Sequence, residues 1–354
     1  LSAIIVILIF VSVQNSWSAG NKKPVIIVEN FKDIGPRAKS EYSAGLARIM
    51  ADDLRGLPSV DIITPEMRKN ALGELAFSQL GGKQVNEDAL LLAADYLLTG
   101  SYYIKKETVY LTVALVRVSD QTIVESAKTD GHINKLQERA DTALFILITL
   151  LEQKGIIATA FSEEGKSAAE FKRSSDNNAF KYYSMASAKR YTDPKAAFGL
   201  YRKAIVSDSS FVDALIDAAV VASADLSLHD IATEYITQAE SVIKKQGQNW
   251  SPQYAKCMTA SGEIHMKGER LAAAIDSFNA SINMLNFIKR SDSFEMSEVL
   301  NDFGLAMRKM GNYPESLKSY NKSLEIKKNL GAEESLPYAE TLSNLAALLR
   351  YQKK

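Results

Sequence analysis

Histidine side chains are the groups in this chain best suited to metal binding or acid–base chemistry. The three of them, His132, His229 and His265, lie far apart in the sequence and in different predicted elements. Glu263 precedes His265 by two residues, and side chains at that spacing leave a helix on different faces, so this pair cannot grip one metal ion. The histidines therefore predict no metal site.

Two other segments carry residues that catalytic motifs use. Gly82 and Lys83 have the character of a phosphate-binding loop, but Phe77 stands where that loop needs its first glycine and Gln84 stands where it needs serine or threonine. The residues around Ser43 do not form the Gly-x-Ser-x-Gly pattern of a nucleophile elbow. Because no group of residues supplies a nucleophile, a base and oxyanion donors together, we expect a protein that is not an enzyme and needs no cofactor.

Net charge and cysteine content give no support for nucleic-acid binding and exclude a disulfide within the chain. Lys+Arg and Asp+Glu both number 42, so the formal net charge is zero, and the chain as a whole has no excess positive charge to attract nucleic acid. Cys257 is the single cysteine, so no disulfide can form within the chain. We expect it to be a buried, small apolar residue of a helix.

The second half of the chain repeats itself every 42 residues. Val220, Gly262, Gly304 and Ala346 are spaced by that step. Small residues in such columns let two helix backbones approach closely, and a bulky apolar residue fills the gap between neighbouring units. The pattern predicts an all-α solenoid of stacked helix pairs. Three further columns keep the step: Ala232, Ala274 and Ser316; Ile236, Phe278 and Tyr320; Ala239, Ser281 and Ser323.

These columns also carry a family resemblance. The residues Phe303-Gly304-Leu305-Ala306-Met307, Gly311-Asn312-Tyr313, Ser316, Tyr320 and Ser323-Leu324 closely resemble a tetratricopeptide repeat (TPR). The usual TPR period is about 34 residues, and a 42-residue step with the segments 324–328 and 341–346 is similar to the longer kinesin-light-chain type. The resemblance implies a surface that holds other proteins. We expect about five repeats, the first of them shorter and the fifth limited to its first helix at 337–351.

The resemblance also implies which residues line the concave groove, because the first helix of each TPR pair faces it. The lining residues are Thr259, Glu263, Met266 and Lys267 in the third repeat, Asn301, Leu305, Arg308 and Lys309 in the fourth, and Ser343, Ala347, Arg350 and Tyr351 in the fifth. The candidate partner-binding residues among them are Thr259, Glu263, Lys267, Asn301, Arg308, Lys309, Ser343 and Arg350. Four cations against one acid predict an acidic or C-terminal carboxylate ligand. The alternative is that these basic side chains only keep a helical surface soluble.

The first half has a different pattern, in which short apolar runs alternate with helical spacing. The order of elements predicts an α+β domain, one sheet under helices. Strands are expected at 24–31, 60–63, 95–104, 108–118 and 122–128, and helices at 40–54, from Thr64, at 86–94 and at 136–153.

This half resembles the TolB amino-terminal-like domain, a group related to periplasmic domains of the curli-secretion and flagellar-accessory type. The segments Val25–Phe31, Tyr42–Leu46, Ala94–Tyr102 and Leu115–Asp120 carry the resemblance. The turn after Val118 lacks the glycine that is usual there. The resemblance implies no catalytic residue, and in that family the domain often precedes TPRs.

The first residues have the character of a targeting segment. Residues 1–13 are almost wholly apolar, and small polar residues follow up to Ala19, which predicts a secretory signal peptide at 1–19. Because no basic residues precede the apolar run, we expect the natural protein to begin before Leu1. The alternative is the end of a transmembrane helix that anchors the protein in the inner membrane.

The resulting organisation is a signal peptide at 1–19, an α+β domain at 20–155, a polar linker at 156–177 and a TPR array at 178–354. The polar linker predicts that the two domains fold separately. We expect an exported adaptor of the bacterial cell envelope that docks a partner protein and binds no nucleic acid. The alternative is the periplasmic sensory part of a membrane-tethered signalling protein whose cyclase or DNA-binding effector precedes residue 1.

Overall fold

The structure is a computed structural model that describes residues 23–36, 40–55, 57, 59–63, 94–157, 174, 176–330 and 336–352. The predicted signal peptide, the helices expected from Thr64 and at 86–94, and most of the predicted linker lie outside these residues. Within them the chain forms an α+β unit followed by an all-α array of paired helices, which is the fold class that the sequence predicts. No helix in these ranges combines the length and apolar character needed to cross a membrane.

The α+β unit is built on one mixed sheet. Its strands are β1 (Val25–Val28), β2 (Lys32–Asp33), β3 (Asp61–Ile63), β4 (Tyr96–Lys105), β5 (Thr108–Arg117) and β6 (Ile123–His132). The strand order is β3-β1-β4-β5-β6, with β2 beside β4. Strand β1 is parallel to β3 and β4, whereas β4, β5 and β6 are antiparallel. Strand β6 is longer than predicted because its pairing with β5 continues until His132 lies opposite Thr108.

The turn between β5 and β6 forms without the glycine that is usual at this place. Gln121 adopts the left-handed conformation, with φ 55°. The Asp120 carboxylate accepts a hydrogen bond from the Thr122 backbone N–H at 3.0 Å and another from its hydroxyl at 2.6 Å. This side chain closes the turn locally, so the strand pairing survives the missing glycine.

Two helices, α1 (Ser43–Arg55) and α2 (Leu136–Gln153), cover one face of the sheet. Leu46 and Met50 of α1 and Leu144 and Leu147 of α2 are buried in the same core as the inward side chains of β4 and β5. The run 143–151 is buried only on one side, since Phe145 and Ile146 are exposed. This core continues into the helical array as far as Ile264.

The array has nine helices within the described residues. They are α3 (Asn177–Lys189), α4 (Pro194–Ser207), α5 (Val212–Ala224), α6 (His229–Lys245), α7 (Pro252–Lys267), α8 (Leu271–Phe287), α9 (Phe294–Lys309), α10 (Tyr313–Asn329) and α11 (Leu336–Gln352). Helices α3, α5, α7 and α9 each pair with the helix that follows, and α11 packs on α10 and α9. The described helices of the array thus form four pairs followed by one further helix.

The two glycines of the repeating small column lie at close contacts within their helix pairs. A Cβ placed on Gly262 would lie 2.4 Å from the Phe278 ring, and one on Gly304 would lie 2.8 Å from the Tyr320 ring. Phe278 and Tyr320 are fully buried. The bulky column of each second helix therefore fills the space that the glycine of the first helix leaves open, as the repeat predicts.

Candidate protein-binding groove

We use the term groove face for the side of the array that the TPR resemblance assigns to the concave surface, the side formed by the first helices α3, α5, α7, α9 and α11. Helix α1 of the sheet unit lies against three of them. The Gly45 backbone N–H donates to the Ser184 hydroxyl on α3 at 2.9 Å. A Cβ on Gly45 would lie 2.6 Å from the Cβ of Ser184, so the two backbones meet closely. The chain thus places one of its own helices on the first part of its groove face.

Charged side chains carry this contact across α5 and α7. Arg48 donates to the Asp217 carboxylate on α5 at 2.7 Å, and the Lys256 ammonium on α7 lies 2.8 Å from Asp52. A third cation, Arg190, lies 3.7 Å from Asp217, whose side chain is 1% exposed. Buried charges are tolerated only when they are paired, so these ion pairs hold α1 in one position on the groove face.

Lys256 forms ion pairs with carboxylates of both units. It lies 2.8 Å from Asp52 and 3.3 Å from Asp213. Burial alone would lower the pKa of Lys256, but the two carboxylates outweigh burial and raise the pKa above its ordinary value. Gln253 also donates to Asp213, at 3.3 Å. The side chain therefore stays charged although it is largely enclosed.

This interface bears on the expectation that the two domains fold separately. The polar linker favours independence, whereas the shared core and the pairs of Arg48 and Asp52 with the array favour coupling. An isolated sheet unit would expose the face of α1 that carries these two charges. Independent folding remains a prediction, and the interface argues against it.

Two of the candidate groove residues are engaged inside the array. The Thr259 hydroxyl donates to the Ala255 carbonyl at 3.1 Å and lies 2.8 Å from the Ser281 hydroxyl of α8. Asn301 is 4% exposed, and its side-chain amide oxygen accepts a hydrogen bond from the side-chain amide of Asn344 on α11 at 3.1 Å. Their hydrogen bonds join neighbouring helices, which is a packing role.

The other candidates lie nearer the surface. Ser343 is exposed on α11. The four cations Lys267, Arg308, Lys309 and Arg350 lie in the last turns of α7, α9 and α11, where all but the half-buried Arg308 are exposed. We call these four the basic row. Cations in a last turn also complement the helix dipole, so their position alone does not establish a ligand.

Sequence reasoning missed a set of carboxylates on the same helices. Asp302 is half-buried on α9, and its pKa is raised, first by burial and then by the carboxylates of Glu263, Glu298 and Glu340. These four residues, which we call the carboxylate row, come from α7, α9 and α11. These carboxylates lie on the same three helices as the predicted basic residues, so the charge of the ligand stays a prediction. The repeat offered a signal, since Glu298 and Glu340 are one 42-residue step apart.

Lys327 fixes the last helix of the array. Its side chain is 1% exposed, and its ammonium donates to the Pro337 carbonyl and the Thr341 hydroxyl, both at 2.9 Å. It also lies 2.7 Å from the Glu298 carboxylate. One cation of α10 thus ties α11 to α9 and keeps the groove face continuous at its far end.

The remaining reactive groups are separate from one another. The imidazole of His132 lies 3.3 Å from Glu107, and that of His229 lies 3.3 Å from the Ser223 hydroxyl. Cys257 is fully buried, as predicted, and burial raises the pKa of its thiol. In the part of the chain that the structure describes, no group of histidine, cysteine, aspartate or glutamate side chains could hold a metal ion.

Comparison with known proteins identifies the repeats. The family model of the tetratricopeptide repeat matches residues 295–354, so the array contains TPRs. No curated protein matches the chain. The resemblance of the first half to the TolB amino-terminal-like domain stays a prediction from the sequence.

Several solved structures are similar to about half of the chain. BtubC (BKLC) from P. vanneervenii is 16% identical, with 48% of this chain and 71% of that chain covered and a TM-score of 0.43. A MamA protein is 20% identical, with 50% and 88% covered and a TM-score of 0.36. The nearly identical TPR-like repeats assigned to a kinesin light chain of Podosopora anserina are 11% identical, with 49% and 85% covered and a TM-score of 0.43.

Proposed function

We propose that this chain is a non-enzymatic adaptor that docks a partner protein on the groove face of α7, α9 and α11. TPR arrays are protein-interaction scaffolds, and their concave surfaces bind other proteins. The observation that carries the proposal is the division of this groove face. Helix α1 occupies it over α3, α5 and the start of α7, whereas Lys267, Lys309, Ser343 and Arg350 are exposed on the rest.

The basic row supplies the first recognition chemistry. Lys267, Arg308, Lys309 and Arg350 come from three consecutive first helices, so a ligand that crosses these helices meets them in turn. Acidic side chains or a C-terminal carboxylate of the partner would bind there. Each charge-assisted hydrogen bond is worth about 1.5–3 kcal/mol.

Reversing the charge of Arg308 and Lys309 tests this role. We expect R308E/K309E to lower partner capture about tenfold or more, because two charge-assisted hydrogen bonds become repulsive contacts. The matched control is K318E/K322E on α10, whose side chains are 76% and 46% exposed and which lies outside the groove face. Capture from envelope extracts, quantified by mass spectrometry, gives the measurement. Equal loss from both variants, or loss from neither, contradicts a basic docking row.

We also propose that the adaptor works in the bacterial cell envelope after export. The apolar run of residues 1–13, followed by small polar residues, supports this setting. We expect the mature protein in fractionated cells to begin near residues 19–20, and the mass of its N-terminal peptide measures this. An intact N-terminus held in the inner membrane contradicts cleavage and favours the membrane-tethered sensory protein, as does a folded effector domain encoded directly before Leu1.

A further inference from the structure

Helix α1 shows what kind of segment this groove face accepts. Arg48 and Asp52 are four residues apart, so they point to one side of the helix. Each meets the opposite charge on the array, Arg48 at Asp217 and Asp52 at Lys256. Gly45, one turn before Arg48, lets α1 come within van der Waals contact of α3. The occupant of the first part of the groove is therefore a helix that presents a cation and a carboxylate together.

The continuation of the groove face offers the same two charges. On α9, Glu298, Asp302, Leu305 and Lys309 follow each other at steps of four, three and four residues, which places them along one side of the helix. Asp302 and Lys309 are seven residues apart, a separation of about 10 Å along the helix axis. One side of α9 thus carries carboxylates in its first half, a half-buried leucine in its middle and cations in its last turn.

The carboxylates gather from three helices rather than from α9 alone. Glu263 of α7, Glu298 of α9 and Glu340 of α11 all act on Asp302 and raise its pKa after burial has done so. The Lys327 ammonium, at 2.7 Å from Glu298, shows that a cation fits at one edge of this row.

We infer that the partner presents a mixed-charge amphipathic helix, which docks across α9 and α11 in continuation of α1. Its cation meets Asp302 and its carboxylate meets Arg308 and Lys309. This inference rests on the proposed docking function and specifies the ligand for the same groove. It differs from a uniformly acidic ligand, which the carboxylate row would repel, and from a uniformly basic one, which the basic row would repel.

The test uses the full chain and a fluorescent peptide with the sequence of α1, Ser43–Arg55, as the mixed-charge probe. Fluorescence anisotropy measures its binding to the wild type, to D302K, to R308E/K309E and to the control K318E/K322E. We expect each groove variant to raise the Kd about tenfold or more, and the control to leave it unchanged. We also expect a weaker response to a second probe in which Arg48 is replaced by Glu and Asp52 by Lys.

Each other outcome overturns the inference. If D302K strengthens binding and R308E/K309E weakens it, the groove binds acidic segments only. If D302K weakens binding and R308E/K309E strengthens it, the groove binds basic segments only. No binding of the probe, or equal binding by all variants, also removes the inference. Partner capture by S343W, which fills the exposed groove without changing its charge, tests the docking function independently. If S343W loses partner capture while D302K and R308E/K309E do not change binding of the probe, the docking function holds and only the mixed-charge inference fails. If S343W captures the partner fully, the docking function itself is contradicted.

Discussion

Replacing Asp217 with asparagine is expected to lower the free energy of unfolding by about 3–5 kcal/mol. The Asp217 carboxylate is 1% exposed and lies between Arg48 of the sheet unit and Arg190 of the array, whose side chains are 15% and 10% exposed. The substitution keeps the shape of the side chain but removes the negative charge that both guanidinium groups share. Urea-induced unfolding of the full chain, followed by circular dichroism, measures the change.

The control for this substitution is Asp225→Asn, at the C-terminal end of the same helix. Asp225 is exposed at the C-cap of α5, and exposed substitutions of this kind change stability by less than about 0.5 kcal/mol. A loss below about 1 kcal/mol for Asp217→Asn would mean that water already screens the two arginines. A double-mutant cycle with Arg48→Met separates the contribution of the contact between the two units from that of Arg190.

The repeat architecture was accessible from the sequence because packing imposes it at a fixed period. In two pairs of this array the first helix has a glycine where the second helix places an aromatic ring, and this contact recurs at the same place in each of the two units. Gly262 and Gly304 are 42 residues apart and receive Phe278 and Tyr320, which are also 42 apart. Each such contact joins residues that are close in the sequence, so its repetition is visible as a constant spacing along the chain.

The contact of α1 with the array left no such signature. Arg48 and Asp217 are 169 residues apart, and Asp52 and Lys256 are 204 apart, so no periodicity links them. Charged residues of a helix ordinarily face solvent, so the sequence alone gives no reason to place Arg48 and Asp52 at a contact between two units. One clue lay in α5, where Asp213 and Asp217 stand one turn apart in an otherwise apolar helix that is buried on all sides. Two carboxylates in such a helix need cations from elsewhere in the fold.

The charge of the groove could be predicted only in part. The family resemblance selected lining residues and so found the basic row, but the residues one turn earlier, Glu298 and Asp302, were left out. Two residues that were predicted to line the groove form hydrogen bonds within the array instead. Asn301 is buried against Asn344, and Thr259 is within hydrogen-bond distance of Ser281 on α8. Which side of a helix faces solvent depends on how its neighbours rotate it. The 42-residue spacing does not specify that rotation.

Replacing Gly262 with valine is expected to destabilise the protein by about 3 kcal/mol, at the upper end of the usual cost of overpacking. A Cβ at this place would lie 2.4, 2.6 and 2.8 Å from three atoms of the Phe278 ring. That ring is fully buried, so it can move only by pushing α8 away from α7. The expected result is a lower urea midpoint without a change in the slope of the transition.

The same substitution at Gly199 separates this contact from helix propensity. Gly199 lies within α4, is exposed, and has open space around the place where a Cβ would be added. Valine is a better helix former than glycine by a few tenths of a kcal/mol, so Gly199→Val is expected to leave stability unchanged or raise it slightly. If both valines destabilise equally, the penalty comes from the branched side chain in a helix. In that case the small column would not be what lets the paired helices of the array approach each other.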